Sequence, residues 1–283
     1  MVKSVKLTCI VENLTGIPYI ELLGKHGLSL LLEIEREHDK LNLLMDTGPS
    51  PDVFSHNLDV LKLDIGKVET IVLSHGHYDH TGGLIAALKR IGKKNVPIIA
   101  HPESFNLKFA FRFRYIGIPF KPSEIEEAGG RLILAKNPVW ITDDVVVTGE
   151  IERTTGFEDV KGFWTIKDGI LKEDIVPDDQ ALILKLDDKG LLIISGCAHA
   201  GIVNTVKYAQ KITGISKVYG VIGGFHLEGA SKERLEQTLN EFKKFNPEVV
   251  APCHCTGFEA MKLFAETFGK RFLLLKSGLS VTF

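Results

Sequence analysis

The stretch His75-Gly76-His77-Tyr78-Asp79-His80 packs four side chains able to bind a metal into six residues, directly after the apolar run Thr70-Ile71-Val72-Leu73-Ser74. In an extended segment, residues two apart project to the same side, so His75 and His77 can offer neutral imidazoles to one ion while Asp79 and His80 turn toward a second. Closely spaced imidazole and carboxylate donors are what nitrogen and oxygen metal sites require; the bland alternative is a polar, histidine-rich surface loop. Thr81-Gly82-Gly83 then lets the backbone bend closely before a helix expected over Leu84 to Ile91, which would fix the cluster on a rigid frame.

The elements that must carry this loop follow from short apolar runs between Gly, Asn and Asp breaks. Lys6 to Val11, Ser29 to Glu35 and Leu41 to Met45 read as strands, followed by a helical stretch to about Leu61 and a strand from Glu69 to Leu73. Beyond the helix come a strand at Val96 to Ala100, an aromatic and basic stretch from Phe105 to Phe120, and a helix from Ser123 to Ala128. Strands resume at Arg131 to Ala135, Val145 to Thr148, Ala181 to Leu186, Leu191 to Ser195 and Val218 to Ile222. The pattern finishes as helix, strand, helix and strand over Lys232 to Phe245, Glu248 to Ala251, Phe258 to Phe268 and Arg271 to Leu275. With no linker or repeat between autonomous units, this predicts two strand-rich halves sharing one core, helices outside.

The 283 residues carry 34 Lys and Arg against 36 Asp and Glu, so no global field draws the chain to nucleic acid or to a membrane. The longest apolar runs fall far short of the roughly 20 residues that span a bilayer, and the N-terminal residues lack a secretory core, which predicts a cytoplasmic protein. Four cysteines without a paired spacing predict reduced thiols.

The His75–His80 motif, HxHxDH, resembles the signature of the metallo-β-lactamase superfamily, and Asp46 in Leu43-Leu44-Met45-Asp46-Thr47-Gly48 resembles the aspartate that ends an early strand there and supports the ligand loop. The resemblance implies an α/β (α+β) fold, a four-layer αββα sandwich of two mixed sheets with helices outside. We expect one domain over residues 1–283 with a lid segment at 102–130. Further motifs are similar to one branch: Lys25-His26-Gly27, Asp178-Asp179-Gln180, Gly196-Cys197-Ala198-His199, Gly223-Gly224-Phe225-His226 and His254-Cys255-Thr256-Gly257. That branch includes the archaeal 7,8-dihydropterin-6-methyl-4-(β-D-ribofuranosyl)aminobenzene 5'-phosphate synthases and related metal-dependent hydrolases. The His-Thr-Pro-Gly-His stretch of many superfamily hydrolases is missing, and Asp178-Asp179-Gln180 stands roughly where it would fall.

The resemblance implies two divalent ions, zinc first, with iron, manganese, nickel or magnesium as alternatives. The expected ligands are His75, His77, Asp79, His80, His199 and His226, with Cys197 the alternative to His199. Asp79 and His254 are expected to be catalytic, Asp79 by orienting a hydroxide and His254 by stabilising the leaving group. Either His226 or His254 could complete the second site. Arg153, Arg112 and Arg114 are the candidate substrate-binding residues; the last two lie in Phe109-Ala110-Phe111-Arg112-Phe113-Arg114-Tyr115, whose alternating rings and cations could stack an aromatic substrate and grip its phosphate. His101, followed by Pro102, reads as a structural turn residue. The expected activity is hydrolysis of an ester, phosphoester or lactone by a metal-activated hydroxide. The alternatives are transfer of a dihydropterin from its diphosphate to ribofuranosylaminobenzene 5'-phosphate, and a non-catalytic metal-binding sensor. The expected partner is a small anionic or phosphorylated substrate, with no nucleic acid and no membrane; homo-oligomerisation stays open.

Overall fold

The computed structural model describes residues 1–16 and 21–283. Its first half runs β1 (Val2–Val11), β2 (Ser29–Arg36), β3 (Lys40–Met45), α1 (Pro51–Leu61), β4 (Thr70–Val72), α2 (Tyr78–Thr81), α3 (Leu84–Ile91) and β5 (Val96–Ala100). A middle section holds β6 (Leu107–Ala110), β7 (Arg114–Tyr115), α4 (Pro122–Glu127), β8 (Gly130–Leu134), β9 (Val139–Thr142), β10 (Val145–Val147), β11 (Phe163–Lys167) and β12 (Ile170–Glu173). The second half holds β13 (Ala181–Leu186), β14 (Gly190–Ser195), α5 (Ile202–Thr213), β15 (Val218–Gly224), α6 (Lys232–Phe245), β16 (Val249–Cys253), α7 (Phe258–Phe268) and β17 (Ser280–Thr282).

Three apolar clusters explain the layering. Successive strand residues point to opposite faces, so Leu30, Leu32 and Ile34 of β2 and Leu41, Leu43 and Met45 of β3 meet Leu182, Leu184, Leu192 and Ile194 between the sheets. The residues between them face outward: Leu31 and Leu44 pack under α1, α3 and α4, while Ile183, Leu191 and Ile193 pack under α5, α6 and α7. Both faces of the central strands are covered, which is why runs such as Leu28–Leu32 are almost wholly apolar. The result is the expected αββα arrangement.

The ladder runs β16-β15-β14-β13-β1-β2-β3-β4-β5-β8, and its two halves touch at one pair, Val2 with Leu186. Further along the same edge of β1, opposite β2, lies β17, with Lys6 opposite Thr282 and Leu7 opposite Val281. A second, four-stranded sheet, β12-β11-β6-β7, stands apart from the sandwich.

Two expectations are corrected and one helix is added. Arg271 to Leu275 is not a strand: the chain makes a single bridge at Phe272 to Val250 and continues as coil, and the last strand is Ser280–Thr282. The segment 102–130 is not one lid, because Ile125 of α4 is fully buried in the cluster under the first helices, leaving only the 107–115 hairpin in the small sheet. Helix α5 was not anticipated, although Ile202, Val203, Val206 and Ala209 form one buried face at helical spacing. All four cysteines are buried and free, and among the described residues no helix is long and apolar enough to cross a membrane.

Candidate metal centre

Every candidate ligand emerges from the same end of the sandwich, where strands stop and loops begin. The parallel strand β4 delivers residues 74–80, and β14, β15 and β16, also mutually parallel, deliver Cys197 and His199, then His226, then His254. The loop can pass here because residue 76 is glycine: a Cβ at Gly76 would lie 2.1 Å from the Ser104 carbonyl oxygen. Asp46, Ala198, His226 and His254 all adopt φ between +47° and +58°, sparsely populated for these residues and concentrated where the donors converge.

Two donor groups result. In the first, His75, His77 and His199 are buried and bring one ring nitrogen each within 4.8 Å of the others, with His75 Nε2 and His77 Nδ1 3.0 Å apart. In the second, His80 Nε2 lies 3.1 Å from both Cys197 Sγ and His254 Nε2, and Asp79 Oδ2 lies 3.4 Å from His254 Nε2 and 3.6 Å from His80 Nε2. Cys197 also groups with His199 and His226, so its sulfur stands between the two groups.

These residues fit divalent ions. Two nitrogen donors each about 2.1 Å from a common ion at the tetrahedral angle stand about 3.4 Å apart, the scale of the edges described here. His77 Nε2, both nitrogens of His199 and His226 Nδ1 are buried without any hydrogen-bond partner in the structure, an arrangement that is costly unless something else takes the lone pairs. Imidazole, thiol and one carboxylate are donors for a borderline transition metal rather than for magnesium.

The orienting contacts differ between the groups. Asp46 accepts from Ser74 N–H and Ser74 Oγ, each at 2.7 Å, and stands 2.7 Å from His80 Nδ1, leaving His80 Nε2 to face the cluster. Glu12 accepts from His254 N–H at 2.7 Å, and Asn13 Oδ1 lies 3.0 Å from His254 Nδ1. Glu12 is itself held by Ser277, whose hydroxyl accepts from the Glu12 N–H at 2.9 Å.

Charge follows these contacts. Burial pulls His77 down to about 3, and burial together with neighbouring imidazoles holds His75 and His199 well below the usual range. For His80 burial acts downward too, but Asp79 and Asp46 outweigh it and hold the ring up at about 9. Burial would raise Asp79, yet His80 and His254 hold its carboxyl well below the usual range.

Above the donors lies a cavity of about 340 Å³ lined by His77, Asp79, Cys197, His199 and His226 on the floor and by Tyr78, Phe111, Arg114, Ile116 and Phe163 on the walls. Phe163 of β11 stacks on His77 with ring centroids 5.3 Å apart, and the Arg114 guanidinium lies 5.5 Å from the Tyr78 ring centre.

The structure thus brings together His75, His77, Asp79, His80, His199 and His226, and adds Cys197 beside His199 rather than in place of it. His254, expected to act on a leaving group, stands inside the donor group of Asp79 and His80, because the left-handed turn after β16 folds it back over Cys197. His226 is only partly buried and joins Cys197 and His199. Arg153 is a correction: it donates to the carbonyls of His199, Ile175 and Val176 and lines a separate cavity of about 460 Å³, which leaves it outside the pocket over the donors. Arg112 is a second, sitting exposed at the hairpin tip with its guanidinium 5.1 Å from the Phe111 ring centre; of the two lid arginines only Arg114 reaches the pocket. His101 caps a short turn, accepting from Glu103 N–H at 3.1 Å. Phe163 escaped sequence reasoning, because nothing in Gly162-Phe163-Trp164 distinguishes a pocket wall from an exposed strand. His26, whose Nε2 lies 3.3 Å from Asp79 Oδ2, had a visible signal in its Lys-His-Gly turn but no assigned role.

Known proteins resemble this chain over most of its length. Residues 24–169 match the metallo-beta-lactamase superfamily. The chain is 37% identical over 292 residues to the 7,8-dihydropterin-6-methyl-4-(beta-D-ribofuranosyl)-aminobenzene-5'-phosphate synthase of Methanocaldococcus jannaschii, covering 100% of this chain and 98% of that one. An uncharacterized protein of the same organism is 37% identical over 243 residues, covering 86% of this chain and 88% of its own length. Among solved structures, Tm1679, a metal-dependent hydrolase of the beta-lactamase superfamily, superposes with a TM-score of 0.81 at 26% identity over 98% of both chains.

Proposed function

The chain belongs to the metallo-beta-lactamase superfamily, and from that premise we propose that it is a metal-dependent transferase of the dihydropterin synthase type. In this reading a 6-hydroxymethyl-dihydropterin diphosphate is condensed with ribofuranosylaminobenzene 5'-phosphate. A carbon–nitrogen bond forms at the pterin methylene, the carbon–oxygen bond to diphosphate breaks, and the arylamine gives up a proton.

One observation carries the reading: the pocket over the donor groups is walled by Phe163, Phe111 and Tyr78 with Arg114 among them, a lining suited to a flat ring bearing an anion. The full-length identity to a synthase of that name supports it. His75, His77 and His199 would hold one divalent ion and Asp79, His80 and His254 the other, with Cys197 between them and zinc the metal that best suits the donors. When bound, the ions supply positive charge to the leaving diphosphate. The chain's own residues do the rest: Phe163 fixes the plane of a stacked ring, and Arg114 meets an anionic group at the pocket mouth.

Hydrolysis of an ester, phosphoester or lactone is the second reading, favoured by the likeness to Tm1679, a metal-dependent hydrolase. The test is to incubate zinc-loaded protein with both condensation substrates and follow diphosphate release and coupled product by mass spectrometry, beside phenyl phosphate and an uncharged aryl ester. Coupled product formed in step with diphosphate supports the transferase. Diphosphate release without coupling, or turnover of phenyl phosphate alone, overturns it in favour of the hydrolase.

A further inference from the structure

Lys108 is a charged residue that is only 1% exposed, in the middle of the lid strand β6. Its ammonium lies 2.6 Å from Asp178 Oδ1 and 2.9 Å from Asp174 Oδ2, both carboxylates also buried. The other oxygen of Asp178 accepts from the Gly76 N–H at 2.8 Å, the peptide between His75 and His77. The next two residues hold the neighbouring loops: Asp179 accepts from the Ala200 N–H at 2.9 Å, beside His199, and Gln180 donates through its backbone to Ser74 O at 2.9 Å and through its side chain to Leu73 O at 2.7 Å. Residues 178–180 therefore touch the segments that carry all three imidazoles of the first donor group, and through Lys108 they touch the lid.

A buried ion triad is weak evidence for stability, since well-packed apolar residues of like volume often serve as well. What such replacements could not reproduce here is the acceptor aimed at Gly76 N–H. Lys108 also pairs in register with Thr165 of β11, two residues from Phe163, the ring stacked on His77. We propose that Lys108, acting through Asp178, is a positioning residue that sets the His75–His77 pair and the aromatic lid wall relative to one another.

This proposal rests on the reading of His75, His77 and His199 as one ion site, and the experiment separates the two. Metal-free protein is titrated with zinc against a competing chelator, and both binding constants are read for wild type, Lys108→Met, Asp178→Asn and Asp178→Ala, with folding followed by circular dichroism. Wild type should bind two ions. Lys108→Met and Asp178→Ala should weaken one of them by about tenfold or more, the scale seen when an outer partner of a ligand is lost, and leave the other unchanged. Asp178→Asn, which keeps an oxygen for Gly76 N–H, should fall between wild type and Asp178→Ala. Should Lys108→Met not fold for want of a partner for its carboxylates, the paired change Lys108→Met with Asp178→Asn removes one charge of each sign and should weaken the same single ion. Equal losses at both ions, or none at either, overturn the positioning role alone. A wild type that binds no zinc overturns the ion-site reading and the proposal with it.

Discussion

The two donor groups lie side by side yet are built on opposite electrostatic plans. The first consists of three imidazoles kept neutral by burial and by one another, and Asp178, the carboxylate that accepts from Gly76 N–H between two of them, is paired with Lys108. The second contains Asp79 and has Asp46 behind His80, so the His80 imidazole is held charged where those of the first group are not. A neutral group is ready for an ion at once. A group organised around a protonated His80 must release a proton first, so the ions should differ in affinity and in response to pH.

The strongest test of this difference is His75→Ala with His77→Ala. Removing two of three donors should empty the first group, a larger loss than the ten- to hundredfold cost of an outer partner, while leaving the second occupied and the circular dichroism unchanged. Elemental analysis showing two ions still bound would break the assignment. Next in size is Asp46→Asn, which loses the carboxylate behind His80 and should weaken only the second ion, by roughly ten- to a hundredfold. An equal effect on both ions would mean that Asp46 supports the loop as a whole.

The pH response sharpens the contrast further. Because His80 is held at about 9, metal-free protein carries its proton at neutral pH, and affinity at the second group should rise by up to about tenfold per pH unit between pH 6 and 9. The first group should show no such slope from its own rings, since His77 titrates near 3. By the same linkage, a His80 pKa raised on folding stabilises metal-free protein fully below the ordinary histidine value, and that stability is lost as pH rises through 9. Equal proton release for both ions in buffers of different ionisation enthalpy would contradict the scheme. The smallest effect belongs to the lid: Arg114→Ala should raise KM for a phosphorylated aromatic substrate by about threefold to tenfold, because the guanidinium is largely solvated, whereas Arg112→Ala should change little. Matching losses would place both arginines in one structural role.

The first half of the site was legible because strand, ligand loop and helix are contiguous there, so local spacing alone brings His75, His77, Asp79 and His80 together. The second half was not, because His199, His226 and His254 each follow a strand in a similar way. Which donor group each joins depends on left-handed turns at Ala198, His226 and His254 that periodicity does not reveal. The alternation in β2, β3, β13 and β14 made the sandwich readable. The small sheet escaped because much of β12 and β7 is exposed and lacks a contrasting buried face. Arg153 misled for a related reason, since its carbonyl partners lie in loops distant in sequence.

The pairing of β1 with β17 has a temporal consequence. β1 is made before β17, and its edge at Lys6 to Thr8 stays unpaired, and Ser277 cannot hold Glu12, until residues 277–283 leave the ribosome. Glu12 in turn holds the backbone of His254, so the second donor group matures after the first. A nascent chain stalled before Ser277 would carry its first three imidazoles on a sandwich that lacks only β17, with an open edge on β1 that invites association with other chains.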